Sequence, residues 1–358
     1  MAVYWGVNLS HDGSICQLKE NGEIDWFVEE ERYSRVKQLE LPFSPIPFID
    51  YSKELYSLQI SGLYERWDQR TLEETAKHFS TLTQKFYNIQ NCDDRKKVTY
   101  ELFLEHHVYH AACGFYNSGF KESAVLVVDG MGNYINDDYH EVETIYTFKY
   151  PNKVKCHHVN VTNSFMNCDR HPLDRQPIGI GMIYSAIADY LGFGTLGSGK
   201  LMGMSAYGEE DPNIKSFIID GKLDSTQFYR TKYGVNFIPY DYVIFDQKEL
   251  TPDNPKIQNL YNLAYRMQKD FECYMINLIL YTLDITKSKN LVLTGGCALN
   301  CVANYKYLDI LPNDVKLYVE PISTDAGTSI GLSKLLYHQK TQSTHPKPLK
   351  TLYLGLEQ

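Results

Sequence analysis

Two stretches of this 358-residue chain open on the same pattern, and that repetition most restricts what the chain can fold into. Val3 to Asn8 reads as a strand, His11-Asp12-Gly13-Ser14 as a tight turn and Ile15 to Leu18 as a second strand. Lys19 to Gly22 is a hairpin turn carrying the strong Asn-Gly signal, and Ile24 to Glu29 is a third strand. The second unit begins with Ala124 to Val128, a continuous apolar run of buried-strand type. It passes through the Gly-rich turn Asp129-Gly130-Met131-Gly132-Asn133 to strands over Thr144–Tyr150 and Lys153–Val161, joined at Pro151-Asn152. The two units share almost no residues, so the duplication is one of pattern, with each unit starting a domain.

Between them lies Glu105-His106-His107-Val108-Tyr109-His110-Ala111-Ala112-Cys113. The flanks, Val98 to Leu104 and Gly114 to Asn117, read as helix, with no Pro and only Gly114 as glycine. In a helix, positions i and i+4 share a face, so His106 and His110 aim two imidazoles at one point, the spacing a metal needs from a helical pair. His107 points about 100° away and reads as structural. Earlier, Glu30-Glu31-Arg32-Tyr33-Ser34-Arg35-Val36-Lys37 is a charged stretch, Pro42, Pro45 and Pro47 mark an irregular loop, and residues 70–90 read as an exposed amphipathic helix.

Beyond the second unit, Pro177 to Leu191 reads as a helix leading into Gly192 to Gly203, where five glycines in twelve residues mark backbone running close to something. This is not a Walker loop, since Lys200 lacks the following Ser or Thr. Residues 210–256 look loop-rich, and Ile257 to about Thr286 carries a helical apolar stripe. Asn290 to Leu293 is a buried strand entering Thr294-Gly295-Gly296-Cys297-Ala298-Leu299-Asn300, followed by a helix that takes in Asn304. A strand, a Gly-Gly turn and a helix start form a cradle for an anion or nucleotide, because the glycines admit close approach and the helix N-terminus favours negative charge. Lys316 to Val319 is a further strand, Pro321 to Gly331 turns into a closing helix, and His338 to Lys350 reads as a linker.

The formal charge of −9, with no Lys/Arg block, argues against a surface that grips polymeric nucleic acid. Eight scattered cysteines without a C-x-x-C pair fit reduced thiols and a cytoplasmic setting. The N-terminus shows no signal-peptide pattern, and no apolar run reaches the roughly 18 residues of a membrane span.

Strand, polar turn, strand, hairpin, strand is how actin-like ATPase domains begin. Taken with His106-His107-Val108-Tyr109-His110-Ala111-Ala112, Asp129-Gly130, Gly199-Lys200-Leu201-Met202-Gly203-Met204-Ser205-Ala206-Tyr207-Gly208, Gly295-Gly296-Cys297-Ala298-Leu299-Asn300 and Asp325-Ala326-Gly327-Thr328, the chain resembles the O-carbamoyltransferases that decorate nodulation factors, cephamycins and tobramycin. His11-Asp12-Gly13-Ser14 and the charged stretch Glu30 to Lys37 belong to the same match, which runs along nearly the whole chain. The resemblance implies an α/β, actin-like (ASKHA) fold of two duplicated RNase H-like lobes with a metal–nucleotide cleft between them. The corresponding division is residues 1–120, residues 121–337 with a helical insertion and a returning helix, and a linker stub over 338–358.

The same resemblance implies chemistry. In that family a C-terminal domain of the YrdC type makes carbamoyl-adenylate from carbamoyl phosphate and ATP, and the actin-like domain passes the carbamoyl group to an acceptor hydroxyl. This chain stops where the YrdC-like domain usually begins, so the expectation is a transfer half whose partner is truncated, separate or absent. By resemblance His106, His110 and Asp325 bind a divalent metal, iron, leaving open positions for substrate oxygen. His11 takes the proton of the acceptor, and Lys37 neutralises phosphate or carbamoyl charge. Asp129, Gly130, Gly295, Gly296, Asn300 and Asn304 line the nucleotide, while Cys297 and Cys301 are assigned to packing. The partners expected are a small hydroxyl acceptor, the YrdC-like half and a second copy in a homodimer. Alternatives are a tRNA threonylcarbamoyl transferase, a non-catalytic nucleotide-binding partner and, more distantly, a kinase of the same fold.

Overall fold

The computed structural model describes residues 3–51, 55–61, 69–91, 99–136, 139–163, 171–172, 177–231, 234–239 and 256–356. The first sheet is built from β1 (Val3–Asn8), β2 (Ser14–Leu18), β3 (Ile24–Glu29), β4 (Leu55–Ser61) and β5 (Thr99–Phe103) in the order β3-β2-β1-β4-β5. The first three strands are antiparallel neighbours, and β4 and β5 continue parallel to β1. A short helix α1 (Glu30–Ser34) follows β3, and α2 (Gln69–Asn91) connects β4 to β5.

The second sheet repeats this arrangement. Its strands are β6 (Glu122–Val128), the short β7 (Tyr134–Asn136), β8 (Tyr139–Lys149) and β9 (Lys153–Asn163). With β7 set aside, β9-β8-β6 is an antiparallel meander matching β3-β2-β1. Two later strands complete it on the parallel side. Between them and β9 come the small strands β10 (His171–Pro172), β11 (Ile218–Ile219), β12 (Lys222–Leu223), β13 (Phe228–Thr231) and β14 (Gly234–Phe237), which make minor sheets of their own. The completing strands are β15 (Asn290–Thr294) and β16 (Lys316–Val319). The repeated pattern read from the sequence is therefore a repeated topology, two RNase H-like lobes of an actin-like protein.

The helices α3 (His106–Ser118), α4 (Ile180–Tyr190), α5 (Ser198–Met204), α6 (Ile257–Thr286), α7 (Cys301–Ile310) and α8 (Ala326–Thr341) cover the sheets. By sequence α3 falls with the first sheet and α8 with the second. In space they are exchanged: α3 packs on β6, β15 and β8, and α8 returns to β1, β2 and β4. The two helices also pack on each other, so this crossing joins the lobes.

Three sequence expectations are corrected. Residues 99–103 form strand β5 and not the first turns of the histidine helix, which begins at His106. Thr99, Tyr100 and Phe103 are β-branched or aromatic, and a parallel partner in β4 outweighs the local helical reading. Strand β4 was not assigned from the sequence, although Tyr56 to Ser61 alternates apolar and polar residues. Its Gln59 and Ser61 are buried beside Leu58 and Ile60, so polar residues sit where a strand covered on both faces ordinarily shows an unbroken apolar run. The stretch 210–256, expected to be strand-poor, contributes β11 to β14, and residues 240–255 lie outside the described ones. Of the tail 338–358, α8 takes the part up to Thr341, and residues 342–356 are tied down: Leu349 N donates to Asn117 O (2.9 Å), Lys334 Nζ to Lys347 O (3.0 Å) and Phe27 N to Leu354 O (2.7 Å).

Glycines set how closely α8 can approach its neighbours. A Cβ on Gly331 would stand 1.9 Å from Tyr109 O in α3, and one on Gly6 in β1 would stand 2.1 Å from Ser329 O in α8. Gly331→Ala is accordingly expected to lower stability by about 1–3 kcal/mol through overpacking. Urea denaturation measures this, and an unchanged midpoint would mean that the crossing yields freely.

Candidate metal and nucleotide site

His106 and His110 occupy the first two turns of α3, and both are buried. Their Nε2 atoms face each other at 3.0 Å. Asp129 follows the last residue of β6 and brings Oδ2 to 3.3 Å from His106 Nε2 and 3.6 Å from His110 Nε2. Asp325 stands immediately before α8, where an Asp ordinarily caps the helix, but it makes no capping bond. Its Oδ1 lies 3.4 Å from each imidazole Nε2. Each carboxylate gives its other oxygen to the protein: Gly296 N donates to Asp129 Oδ1 (3.1 Å) and Ser10 Oγ to Asp325 Oδ2 (3.1 Å). The four ligand-type atoms lie within 4.8 Å of one another.

Such a donor set requires positive charge at its centre. In the chain alone protons supply it. Burial works against a charged His106, yet Asp325 and Asp129 outweigh it and hold the imidazole up at about 10. His110 is raised by the same carboxylates against burial and against His106. Burial likewise opposes charge on Asp129 and Asp325, and the neighbouring imidazoles hold both well below the usual carboxylate range. Two imidazole nitrogens and two carboxylate oxygens are the hard and borderline ligands that divalent transition metals take, so the residues fit such an ion. His107 stands apart: its Nδ1 lies 3.0 Å from Thr144 Oγ1, and burial pushes it down to about 4, which keeps it neutral, a structural residue as expected.

His11 joins the cluster from the first lobe. Its Nε2 is 3.2 Å from Asp325 Oδ2 and its Nδ1 is 3.2 Å from Asp12 Oδ2. Asp325 is the main cause of a value raised to about 9, so the imidazole carries a proton at neutral pH in the chain alone. The turn is held by Asn8, whose Nδ2 donates to His11 O (3.1 Å) and whose Oδ1 accepts from Ser10 Oγ (2.7 Å).

A cavity of about 310 Å³ opens beside the cluster. His11, Asp129, Gly130, Gly296, Asn300 and Asp325 line it, with Tyr184, Phe271 and Leu299 as an apolar wall. Gly130 faces open space, since a Cβ there would meet nothing within 4 Å. A Cβ on Gly296 would come 3.0 Å from Asp129 Oδ1, so that glycine protects a carboxylate as well as a ligand space. Gly295 stands behind, with φ +86° and Val128 O only 2.4 Å from where a Cβ would be; it shapes the turn and does not line the cavity. Asn300 caps α7 by accepting from Ala303 N (3.0 Å) and exchanges two hydrogen bonds with Gln268. Besides Gly295, two expected residues are not brought to the cavity. Lys37 is exposed and its neighbour Gln38 lines the wall instead, while Asn304 donates to Ala298 O at 2.6 Å. Of the two cysteines assigned to packing, Cys297 lines the cavity, with its thiol raised well above its ordinary range by burial, and Cys301 is exposed.

Sequence reading assigned Asp129 to the nucleotide and missed its place among the histidines. The only signal for it was an Asp at the end of a buried strand. Ser10, Gln38 and Thr324 carried no signal.

A family model described as "Carbamoyltransferase N-terminus" matches residues 68–333. The chain belongs to the carbamoyltransferase family. Its curated relatives include Nodulation protein NolNO of Sinorhizobium fredii, 24% identical over 96% of this chain and 49% of the relative. Nodulation protein NolO of Bradyrhizobium diazoefficiens is 23% identical over 70% of the chain and 41% of the relative. Protein sll1178 of Synechocystis is 26% identical over 98% of the chain and 60% of the relative. The chain thus spans about half the length of the curated relatives it matches. Among solved structures, HypF of T. kodakarensis superposes with a TM-score of 0.55 at 11% identity, covering 95% of this carbamoyltransferase chain and 48% of HypF. Full-length HypF in its phosphate- and nucleotide-bound form gives 0.50 at 12% identity, covering 96% and 56%. At these identities the likeness is one of fold. No helix among the described residues is long and apolar enough to cross a membrane.

Two outcomes test the site. One metal per chain is expected by elemental analysis, with loss in His106→Ala, Asp129→Ala and Asp325→Ala; full occupancy in Asp129→Ala would return that residue to the nucleotide alone. Gly130→Leu is expected to block adenine-nucleotide binding in calorimetric titration without lowering the melting temperature, because its side chain enters open space. Undiminished affinity would move the nucleotide out of this cavity.

Proposed function

We propose that the chain performs the transfer step of an ATP-dependent O-carbamoyltransferase, passing a carbamoyl group from carbamoyl-adenylate to an acceptor hydroxyl. The observation that carries this reading is one carboxylate, Asp325, shared between the imidazole pair and His11 at the wall of one cavity. The backbone at Gly130 and Gly296 leaves room for the phosphate, and Tyr184, Phe271 and Leu299 offer an apolar surface to the adenosine. A divalent cation held by His106, His110, Asp129 and Asp325, iron by family resemblance, would supply positive charge to the phosphate and the carbamoyl oxygen.

In the transfer the acceptor oxygen bonds to the carbamoyl carbon and the bond from that carbon to the phosphate oxygen breaks. AMP leaves with that electron pair, and the hydroxyl proton passes to His11 Nε2. His11 must be neutral to receive it. Asp325 is what keeps His11 protonated in the chain alone, so any charge drawn from Asp325 brings the imidazole towards its ordinary value and frees its lone pair. Asp12 at Nδ1 steadies the imidazolium that results. Lys37, exposed on the loop before Gln38, is retained as a residue that meets substrate charge from outside.

With carbamoyl-adenylate from a separate YrdC-like protein, the chain is expected to carbamoylate a hydroxyl compound, followed by mass spectrometry. His11→Asn should lose about 10²- to 10⁴-fold in turnover while keeping metal and nucleotide. The chain alone should form no carbamoyl-adenylate from carbamoyl phosphate and ATP. Adenylate formation by these 358 residues would put the first step inside them, and undiminished turnover by His11→Asn would remove His11 from the chemistry.

A further inference from the structure

The cavity beside the cluster is built unevenly. Its nucleotide side, from Gly130 through Tyr184 and Phe271 to Asn300, comes from the second lobe, and only His11, Asp12 and Gln38 come from the first. On the transfer reading, a nucleotide on the second-lobe side leaves the first-lobe side, where His11 stands, for an acceptor. A second and larger space, about 1060 Å³, lies on that side. Thr324 lines both, and Pro321 and Ile322 of the same loop face only the second. The loop that delivers Asp325 to the cluster is thus the partition between the two chambers.

The far wall of this groove is the end of β3 and the charged stretch after it, of which the transfer reading uses only Lys37. Glu29, Arg32, Tyr33 and Arg35 line it, with Phe48 beside them and the tail residues Leu352 to Leu356 closing the rim. This wall is hydrogen-bonded to the His11 turn: Glu30 N donates to Gly13 O (2.8 Å) and Gly13 N to Leu39 O (2.9 Å). Whatever the groove holds is therefore positioned relative to the proton-accepting imidazole by backbone bonds.

Its chemistry is selective. Tyr33 and Phe48 bring their rings to 5.5 Å, and Phe48 is 68% exposed, an apolar platform open to a ring or hydrocarbon face. Arg32 is satisfied by Glu29 at 3.1 Å and Glu31 at 3.8 Å. Arg35 has no carboxylate partner among the described residues, in a chain whose formal charge is −9. An unneutralised guanidinium beside an aromatic platform suits an anionic group attached to an apolar ring.

We propose that this groove is the acceptor site and that it selects a hydroxyl compound carrying a carboxylate or phosphate on an apolar ring framework. This rests on the transfer reading and names the class of acceptor for it. The anionic group pairs with Arg35, the ring lies on Tyr33 and Phe48, and the hydroxyl passes Thr324 towards His11.

The test uses two isosteric probes, 4-(hydroxymethyl)benzoate and 4-(hydroxymethyl)benzamide, with binding followed by ligand-observed NMR titration in the absence of any carbamoyl donor. The carboxylate is expected to bind about tenfold or more tightly than the amide. Arg35→Glu should abolish that preference, and Phe48→Ala should weaken both probes alike, with adenine-nucleotide affinity unchanged in each variant. Equal binding of the two probes, binding of neither, or a preference that survives Arg35→Glu overturns the proposal. A preference that depends on Arg35, with no carbamoylated benzoate formed once carbamoyl-adenylate is added, would sink the transfer reading and leave the groove standing as an anion-selective site.

Discussion

Two carboxylates and two imidazoles buried within 4.8 Å of one another cannot be indifferent to charge. Burial penalises every ionised form among them; against it the imidazoles hold Asp129 and Asp325 down, His11 foremost in the case of Asp325, and the two carboxylates raise His106. That dependence shapes the rest of the molecule. The histidines come from α3, Asp129 from the end of β6 on the second sheet, and Asp325 from the start of α8, which packs on the first. Bringing them together needs α3 and α8 to cross at close range, which Gly331 allows, while Gly6 lets α8 lie close on β1. The cluster is a charge site and also a join between the lobes.

Asp325 extends its reach beyond the cluster. Through Oδ2 it meets Ser10 and His11, and Asn8 holds the Ser10–His11 turn from beneath. A change in charge at the histidine pair is therefore felt at His11 across one carboxylate. That is a short electrostatic path from the place where a phosphate would be neutralised to the place where a proton would be accepted. The same residue closes the loop whose Thr324 separates the small cavity from the groove on the first-lobe side. The small cavity, the cluster and the groove thus meet at one turn.

The duplicated sheet order explains why these groups lie where they do. In each lobe the first strand runs into a polar turn at the cleft, Asn8 to Ser14 in one and Asp129 to Asn133 in the other. The two turns face each other across the helical crossing and supply His11 and Asp129 respectively.

The sequence by itself determined the repeated strand pattern, the imidazole pair at i and i+4, and the Gly-Gly turn after a buried strand, because each depends on spacing within a few residues. Three things were beyond it. Strand β5 was hidden because a parallel partner far away in the chain, and not local propensity, holds Thr99–Phe103 extended. Asp129 joined the histidines, and Lys37 and Asn304 stayed away from the cavity, because the meeting of α3, β6 and α8 decides which oxygens face which nitrogens. The upward shift of His11 also belongs to the tertiary structure alone: Asp325 lies more than three hundred residues along the chain, and only folding brings its charge within 3.2 Å.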